Sequence, residues 1–122
     1  MTRFALAISI LVLAFAGSAA ASGPTATASK SCHLSISQQR NSGATYLVQL
    51  SVSGVSCATG LKVEKAWQSC RKHTAGHRTC KKRVYGYKST QKILGSSKIE
   101  YDAKVTATNG SHKIVFTYQQ NT

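Results

Sequence analysis

The sequence predicts a small α+β domain with an N-terminal β-hairpin, one central α-helix packed on a small antiparallel sheet, and a closing C-terminal hairpin, all braced by disulfides. Two observations carry the fold class. Apolar residues recur every three to four positions in the middle of the chain and every second position on both sides of it. The pair Asn109-Gly110 is also a preferred two-residue hairpin turn.

Residues 1–21 are predicted to be a cleaved signal peptide, because Arg3 precedes the apolar run FALAISILVLAFAG and small residues follow it. The run is short and flanked by charge on one side only, which disfavours a membrane span, and an uncleaved N-terminal anchor is the alternative. Residues 22–31 are rich in Ser, Thr, Ala and Gly and predict a flexible leader. Residues 32–120 then form one small domain, which we expect to be secreted.

The first hairpin is predicted on either side of the turn-like stretch Asn41-Ser42-Gly43. Before it, Leu34 and Ile36 alternate with serines, and after it residues 46–53 alternate apolar and polar side chains. The two segments therefore read as antiparallel strands that lead into the helix.

The central helix is predicted from Val63, Ala66, Trp67 and Cys70, which fall at i, i+3, i+4 and i+7 on one face. Ser56 can act as its N-cap. A different face is predicted to carry polar residues toward water: Lys62, Lys65, Ser69 and Lys72.

Two glycines bear on where this helix begins and ends. Gly60 costs about 1 kcal/mol relative to alanine inside a helix, so a start near Leu61 is an alternative to a start at Ser56. Gly76 can adopt the left-handed conformation that closes a helix.

After the helix, residues 84–92 predict a strand, with Tyr85 and Tyr87 at period two and Gly86 weakening the pattern. The Asn109-Gly110 turn then sets the register of the last hairpin. Counting outward from it pairs Val105 with Ile114, Ala103 with Phe116, and Tyr101 with Tyr118 on one face. The other face is predicted to carry Asp102, Lys104 and Thr106.

The four cysteines, Cys32, Cys57, Cys70 and Cys80, follow an export signal and therefore predict two disulfides. Cys57 and Cys70 lie at opposite ends of the predicted helix, about 20 Å apart, and cannot pair. We favour Cys32 with Cys57 and Cys70 with Cys80. The remaining alternative pairs Cys32 with Cys70 and Cys57 with Cys80.

A metal site is a competing interpretation of the same segment. Cys70, His73, His77 and Cys80 are four possible zinc ligands. Their spacing matches no common zinc module, and exported thiols tend to oxidise, so we expect neither metal nor cofactor.

The charge of the chain is extreme, with 16 Lys and Arg against 3 acidic residues. Between positions 62 and 92 the only acidic residue is Glu64. The predicted polyanion-binding residues are Lys62, Lys65, Arg71, Lys72, Arg78, Lys81, Lys82, Arg83 and Lys88. Outside a cell such a patch attracts wall polymer, extracellular nucleic acid or anionic lipid headgroups. Solubility alone is the simpler explanation of the charge.

Catalysis is not expected, because no phosphate-binding loop, nucleophile elbow or HExxH motif is present. A nuclease that uses His73, His77 or His112 with a lysine is a minor alternative. The main alternative to polyanion binding is a protein-binding module, for instance an inhibitor of a secreted enzyme, which would use apolar or aromatic surface.

Three short motifs resemble a group of small secreted actinobacterial proteins of unknown function. They are a Ser-Cys-Ala-Thr helix start at residues 56–59, a Gly-aromatic step at Gly86-Tyr87, and a closing hairpin that ends in the strand of residues 114–118. The group usually has further cysteines where this chain has Lys88 or Ser89 and Val105, so its disulfide pattern does not carry over. The resemblance implies no activity.

Overall fold

The computed structural model describes residues 27–122, so the predicted signal peptide and part of the predicted leader lie outside the described residues. Two residues of that leader belong to the first strand. The elements in chain order are β1 (Lys30–Ser31), α1 (Ile36–Arg40), β2 (Tyr46–Ser53), α2 (Cys57–Lys72), β3 (Lys88–Ser96), β4 (Glu100–Asn109) and β5 (His112–Asn121). Within residues 27–122, no helix has the length and apolar character needed to cross a membrane.

The five strands form one antiparallel sheet in the order β1-β2-β5-β4-β3. Helix α2 covers one face of this sheet. The Trp67 ring lies 5.4 Å from the Phe116 ring and 5.7 Å from the Tyr118 ring, and all three side chains are buried. The predicted α+β class, with a central helix on an antiparallel sheet, is confirmed.

The first strand pair differs from the prediction in its residues. Lys30 and Ser31 pair with β2, and the Cys32 amide donates to the Leu50 carbonyl at 2.8 Å. The segment after Leu34 is helix α1 and not a strand. Ser35 and Gln38 form a reciprocal capping box, which satisfies two amides of the first helical turn and outweighs the apparent alternation of apolar residues.

Helix α2 begins as predicted, because the Ser56 hydroxyl accepts from the Thr59 amide at 3.1 Å. The alternative start near Leu61 is wrong. Gly60 lies inside the helix at a close approach to β2, where an added Cβ would stand 2.7 Å from Val52 Cγ1. Gly76 has the predicted left-handed conformation, with φ of 80°, but it does not close the helix, which ends at Lys72.

The segment before β3 is a tight turn and not the beginning of a strand. Val84 and Tyr87 bridge each other, and the two residues between them have positive φ, 49° at Tyr85 and 81° at Gly86. Two successive positive φ angles are what a type I′ turn requires. Tyr85 is therefore exposed at the tip of the turn, Tyr87 is buried, and the strand begins at Lys88.

The C-terminal hairpin has the predicted faces but a register displaced by two residues. Asn109 pairs with His112, so the turn residues are Gly110 and Ser111. Positive φ at Gly110 but not at Ser111 fits a type II′ turn. The observed pairs on the buried face are Ala107 with Ile114, Val105 with Phe116, and Ala103 with Tyr118.

The disulfides pair as predicted. Cys32 bonds to Cys57 with their Cα atoms 5.7 Å apart, and Cys70 bonds to Cys80 with their Cα atoms 5.3 Å apart. Both Cα separations lie in the usual range for a disulfide. The first bond ties the beginning of α2 to the segment after β1, and the second ties the last turn of α2 to the chain that leads to β3.

Candidate anion-binding surface

Most of the predicted polyanion-binding residues lie on the outer side of α2 and on residues 73–87, which we call the connecting loop. We name this region the helix–loop surface. Its exposed cations are Lys62, Lys65, Lys72, Arg78, Lys81, Lys82 and Arg83. Only Arg71 and Lys88 of the predicted set lie elsewhere, so the structure places seven of the nine residues, all of them exposed, on these two adjoining segments.

The connecting loop is held against α2 at two places. The Cys70–Cys80 disulfide joins the loop to the last turn of the helix. Further along, the Lys62 Nζ atom lies 4.6 Å from the centroid of the Tyr85 ring, a cation–π contact with the first half of the helix. The loop between these two contacts therefore runs back beside α2, which brings its cations near those of the helix.

Hydrogen bonds to the loop backbone fix its course. The buried Arg71 Nη1 donates to the His77 carbonyl at 2.9 Å, and the Tyr118 hydroxyl donates to the Arg78 carbonyl at 3.4 Å. Arg83 Nη1 donates to the Gly86 carbonyl within the turn at 3.1 Å. These contacts order a segment that has no regular secondary structure of its own.

Arg71 does not belong to the outer surface, because its side chain is only 3% exposed. Its Nε donates to Gln68 Oε1 at 2.7 Å, and its Nη1 donates to the Tyr101 hydroxyl at 3.3 Å. Its Nη2 donates to Gln120 Oε1 at 2.7 Å. Arg71 thus joins the helix end to β4 and β5. The sequence carried a signal for this position, since Glu64, Gln68 and Arg71 fall at i, i+4 and i+7.

Glu64 is the only acidic residue of the segment that carries the helix–loop surface, and it is fully buried. Ser42 and Gln68 are its polar neighbours, but neither meets hydrogen-bond geometry with a carboxyl oxygen. Burial therefore outweighs the nearby positive charges of Lys65 and Arg71 and raises the pKa of Glu64 to about 8. The helix–loop surface consequently has no exposed carboxylate.

A second group of lysines lies on the face of the sheet that α2 does not cover, which we call the open face. It contains Lys88, Lys92, Lys104 and Lys113. Lys92 stands directly opposite Lys104, and the prediction that Asp102, Lys104 and Thr106 share a face away from the core is confirmed. Lys92, Lys104 and Lys113 were missing from the predicted set, although the period-two pattern of β4 already placed Lys104 outward.

The two cationic surfaces differ in their acidic residues. The chain has three acidic residues, and the two that are not buried, Glu100 and Asp102, lie on β4 at the open face. The open face thus presents lysines mixed with carboxylates. The helix–loop surface presents cations alone.

The metal alternative loses two of its ligands, and the three histidines of the nuclease alternative do not all lie at one site. Cys70 and Cys80 are joined in a disulfide, and within residues 27–122 no group of three or more potential ligands is arranged to hold a metal ion. His73 and His77 follow the C-terminal end of α2, whereas His112 lies beside Gly54, before its N-terminal end. A helix of 16 residues, about 24 Å long, separates them.

No protein-family model, no curated protein and no solved structure matches this chain. Its function is therefore inferred from its own residues. Among these, the helix–loop surface is distinguished by dense positive charge, an ordered backbone and the absence of exposed carboxylates.

Proposed function

We propose that this protein is a secreted binding protein that engages an anionic extracellular polymer or surface through its helix–loop surface, and that it acts by binding and not by catalysis. The proposal rests mainly on how the charged side chains of α2 are divided between the solvent-facing side and the core. Lysines occupy its outer side, while its one carboxyl group, Glu64, is buried. The signal-like N-terminus and the two disulfides support an extracellular location.

The physical basis of binding is counterion release and screened Coulomb attraction. A polyanion that contacts several ordered cations releases the small ions condensed on it, and the gain grows with the number of contacts. The disulfide and the Lys62–Tyr85 contact order the connecting loop before binding, so fewer degrees of freedom are lost on association. An exposed carboxylate would repel the ligand, and this surface has none.

The test compares two variants with equal net charge. Lys81, Lys82 and Arg83 on the helix–loop surface are replaced by glutamine in one variant. Lys92, Lys104 and Lys113 on the open face are replaced by glutamine in the other. Salt-dependent elution is measured from immobilised DNA, wall polymer and anionic liposomes, with a sulfate resin as the nonspecific reference.

We expect the first variant to elute from one of these ligands at clearly lower salt than the second. The parent protein should in turn be retained on that ligand beyond the sulfate resin. Equal losses in the two variants would mean that retention follows net charge alone, and the positive charge would then serve solubility.

One observation favours a protein-binding module as the second candidate. β3 is an edge strand of the sheet, and large apolar side chains are exposed on it and on the turn that follows, with Leu94 52% and Ile99 73% exposed. A protein partner can add a strand to such an edge and cover these side chains. Binding of this kind loses little affinity as salt rises, because the contact is apolar.

The two candidates are separated by replacing Leu94 and Ile99 with serine. Polyanion retention should be unchanged in this variant and should fall in the Lys81, Lys82 and Arg83 variant. If the serine variant alone lost its binding to an extracellular ligand, and did so equally at low and high salt, the protein-binding function would take precedence.

A further inference from the structure

A cavity of about 400 Å³ opens where the end of α2, the connecting loop and the end of β5 meet. Its walls include Arg71, His77, Arg78, Tyr101 and Gln120. Ligand-binding cavities in proteins usually have volumes of about 300 to 1,000 Å³. This one is large enough for a single sugar-sized unit, and no Asp or Glu side chain lines it.

The buried Arg71 is the central feature of the cavity. Its hydrogen bonds go to the side chains of Gln68, Tyr101 and Gln120 and to the His77 carbonyl, all of them neutral acceptors. They use four of the five N–H groups of a guanidinium. The positive charge of Arg71 is thus taken out of water and hydrogen-bonded, but it is not neutralised by an ionised partner. A buried cation in this state favours the entry of an anion.

The carboxyl group that could neutralise Arg71 does not do so at neutral pH. Glu64 lies two turns earlier on the same helix, and burial raises its pKa to about 8, so that it is mostly protonated at pH 7. It therefore leaves the charge of Arg71 largely uncompensated.

A second guanidinium is ordered at the same cavity. The Arg78 guanidinium carbon lies 5.3 Å from the centroid of the Tyr101 ring, and Tyr101 also accepts a hydrogen bond from Arg71. The backbone beside Arg78 is fixed by the Arg71–His77 hydrogen bond and by the Cys70–Cys80 disulfide. Two positive charges of known position thus face one cavity before any ligand arrives, which is the arrangement that binds phosphate and carboxylate groups.

We propose that this cavity binds one oxyanion group, the phosphate or carboxylate of a single unit of an anionic polymer, between Arg71 and Arg78. The inference rests on the proposed function in that the group would belong to the polymer that the helix–loop surface engages. The surface cations supply affinity along the polymer, and the cavity selects the unit that carries the oxyanion.

The experiment titrates the mature, disulfide-bonded protein with glucose 6-phosphate, glucuronate and glucose at low salt, and follows the backbone amide signals by NMR. The two anions separate a phosphate source from a carboxylate source, and glucose is the neutral control. Arg78→Gln is compared with Arg40→Gln, since both residues are exposed, both variants lose one charge, and only Arg78 lines the cavity. Thermal melting verifies that both variants are folded.

We expect at least one of the two anions to shift the amides of residues 76–78 and 120–122, while glucose shifts none of them. Arg78→Gln should weaken this binding about tenfold, as expected for the loss of one charge-assisted hydrogen bond, and Arg40→Gln less than twofold. Shifts confined to other surfaces, or equal weakening by the two variants, would overturn the cavity proposal.

The outcomes also separate this inference from the proposed function. If the anions bind at the cavity but the protein is retained on no polymer beyond the sulfate resin, polymer binding fails and the cavity proposal stands. If a polymer is retained specifically but neither anion reaches the cavity, the cavity proposal fails and polymer binding stands.

Discussion

The two ends of α2 are held to the rest of the protein by different kinds of contact. At its N-terminal end, Gly60 packs closely on Val52, Val63 is buried, and the Cys32–Cys57 disulfide adds a covalent tie. At its C-terminal end the buried contacts are hydrogen bonds of Arg71. The Cys70–Cys80 disulfide ties that end to a basic loop.

Contacts that mainly stabilise the fold and contacts near the proposed binding site thus lie at different ends of α2. The apolar end needs only close packing, which is insensitive to charge and pH. The polar end contains the buried Arg71, and Glu64 lies buried between the two ends. Such ionisable groups cost stability unless they are partnered or neutralised. Because both the cavity and the connecting loop lie at the polar end, we expect changes there to alter binding as well as stability.

The largest expected effect concerns Glu64 and pH. Its folded-state pKa of about 8 exceeds its ordinary value of 4.5, so the folded protein retains a proton that the unfolded chain releases. The stabilisation is therefore complete below pH 4.5 and is lost as the pH rises to about 8, by about 4 kcal/mol. Glu64→Gln should abolish this loss, so that its unfolding free energy exceeds that of the parent at pH 8 but not at pH 4.

The measurement is urea unfolding of both proteins at the two pH values. Because all other titrating groups are shared, the difference between variant and parent isolates Glu64. Glu100→Gln, on β4, removes one carboxyl group outside the helix and is the matched control for the change in net charge. If the unfolding free energies of variant and parent differed by the same amount at pH 4 and at pH 8, the pKa of Glu64 would not be raised by folding.

The next effect is the loss of the disulfide at the apolar end. Replacing Cys32 and Cys57 with serine opens a loop with a sequence separation of 25 and should lower the unfolding free energy by about 3.5 kcal/mol. The salt concentration that elutes the protein from its polymer should not change as long as the variant is folded. A lower elution point in the folded variant would contradict the separation of the two ends.

A slightly smaller loss of stability is expected at the polar end. The Cys70–Cys80 disulfide closes a sequence separation of 10, so its replacement by two serines should cost about 3 kcal/mol. In contrast to the first pair, this change should also lower the eluting salt, because the connecting loop loses its attachment to α2. Urea unfolding and polymer retention, measured on both serine pairs, make the comparison direct. Unchanged retention here would show that the order of the loop is irrelevant to binding.

The smallest effect concerns the close packing of α2 on β2 at the apolar end. The Cβ of a Gly60→Ala variant would stand 2.7 Å from Val52 Cγ1, so the helix or the strand must move. Overpacking should exceed the gain in helix propensity and leave a net destabilisation of about 1 kcal/mol. Ser69→Ala, on the exposed side of the same helix, is the control and should stabilise slightly. Thermal melting that placed Gly60→Ala above the parent would show that the close contact relaxes without cost.

Features set by apolar periodicity were predictable from the sequence. The face of α2 that carries Val63 and Trp67, and the buried faces of β4 and β5, follow from spacings of three to four and of two. The favoured disulfide pairing is also confirmed, although the helix argument excluded only a Cys57–Cys70 bond and left a second pairing open. The register error in the last hairpin left the faces intact, since a shift of two residues preserves the alternation.

Features set by local polar chemistry were not predictable from that pattern. The capping box of Ser35 and Gln38 converts an apparent strand into α1, and positive φ at Tyr85 places a turn inside an apparent strand. In the candidate site, the exposed lysines of α2 were predicted correctly. The burial of Arg71 was missed. Its spacing from Glu64 and Gln68 was a signal, but only the acceptor Gln68 lies on α2, and the other acceptors lie on β4, β5 and the connecting loop.

The strand order has a consequence for how the chain reaches this structure. β2 lies next to β5, with Leu50 opposite Phe116, so its second neighbour is the last strand to be made. Until β5 is present, β2 can pair only with the two residues of β1. The face of α2 around Trp67 then lacks the central strand of the sheet on which it packs. Folding must therefore wait until β5 has been made, and such non-local pairing makes folding slow. A variant that lacks β5 should therefore be unfolded throughout, and should not be a folded domain that lacks only one edge strand.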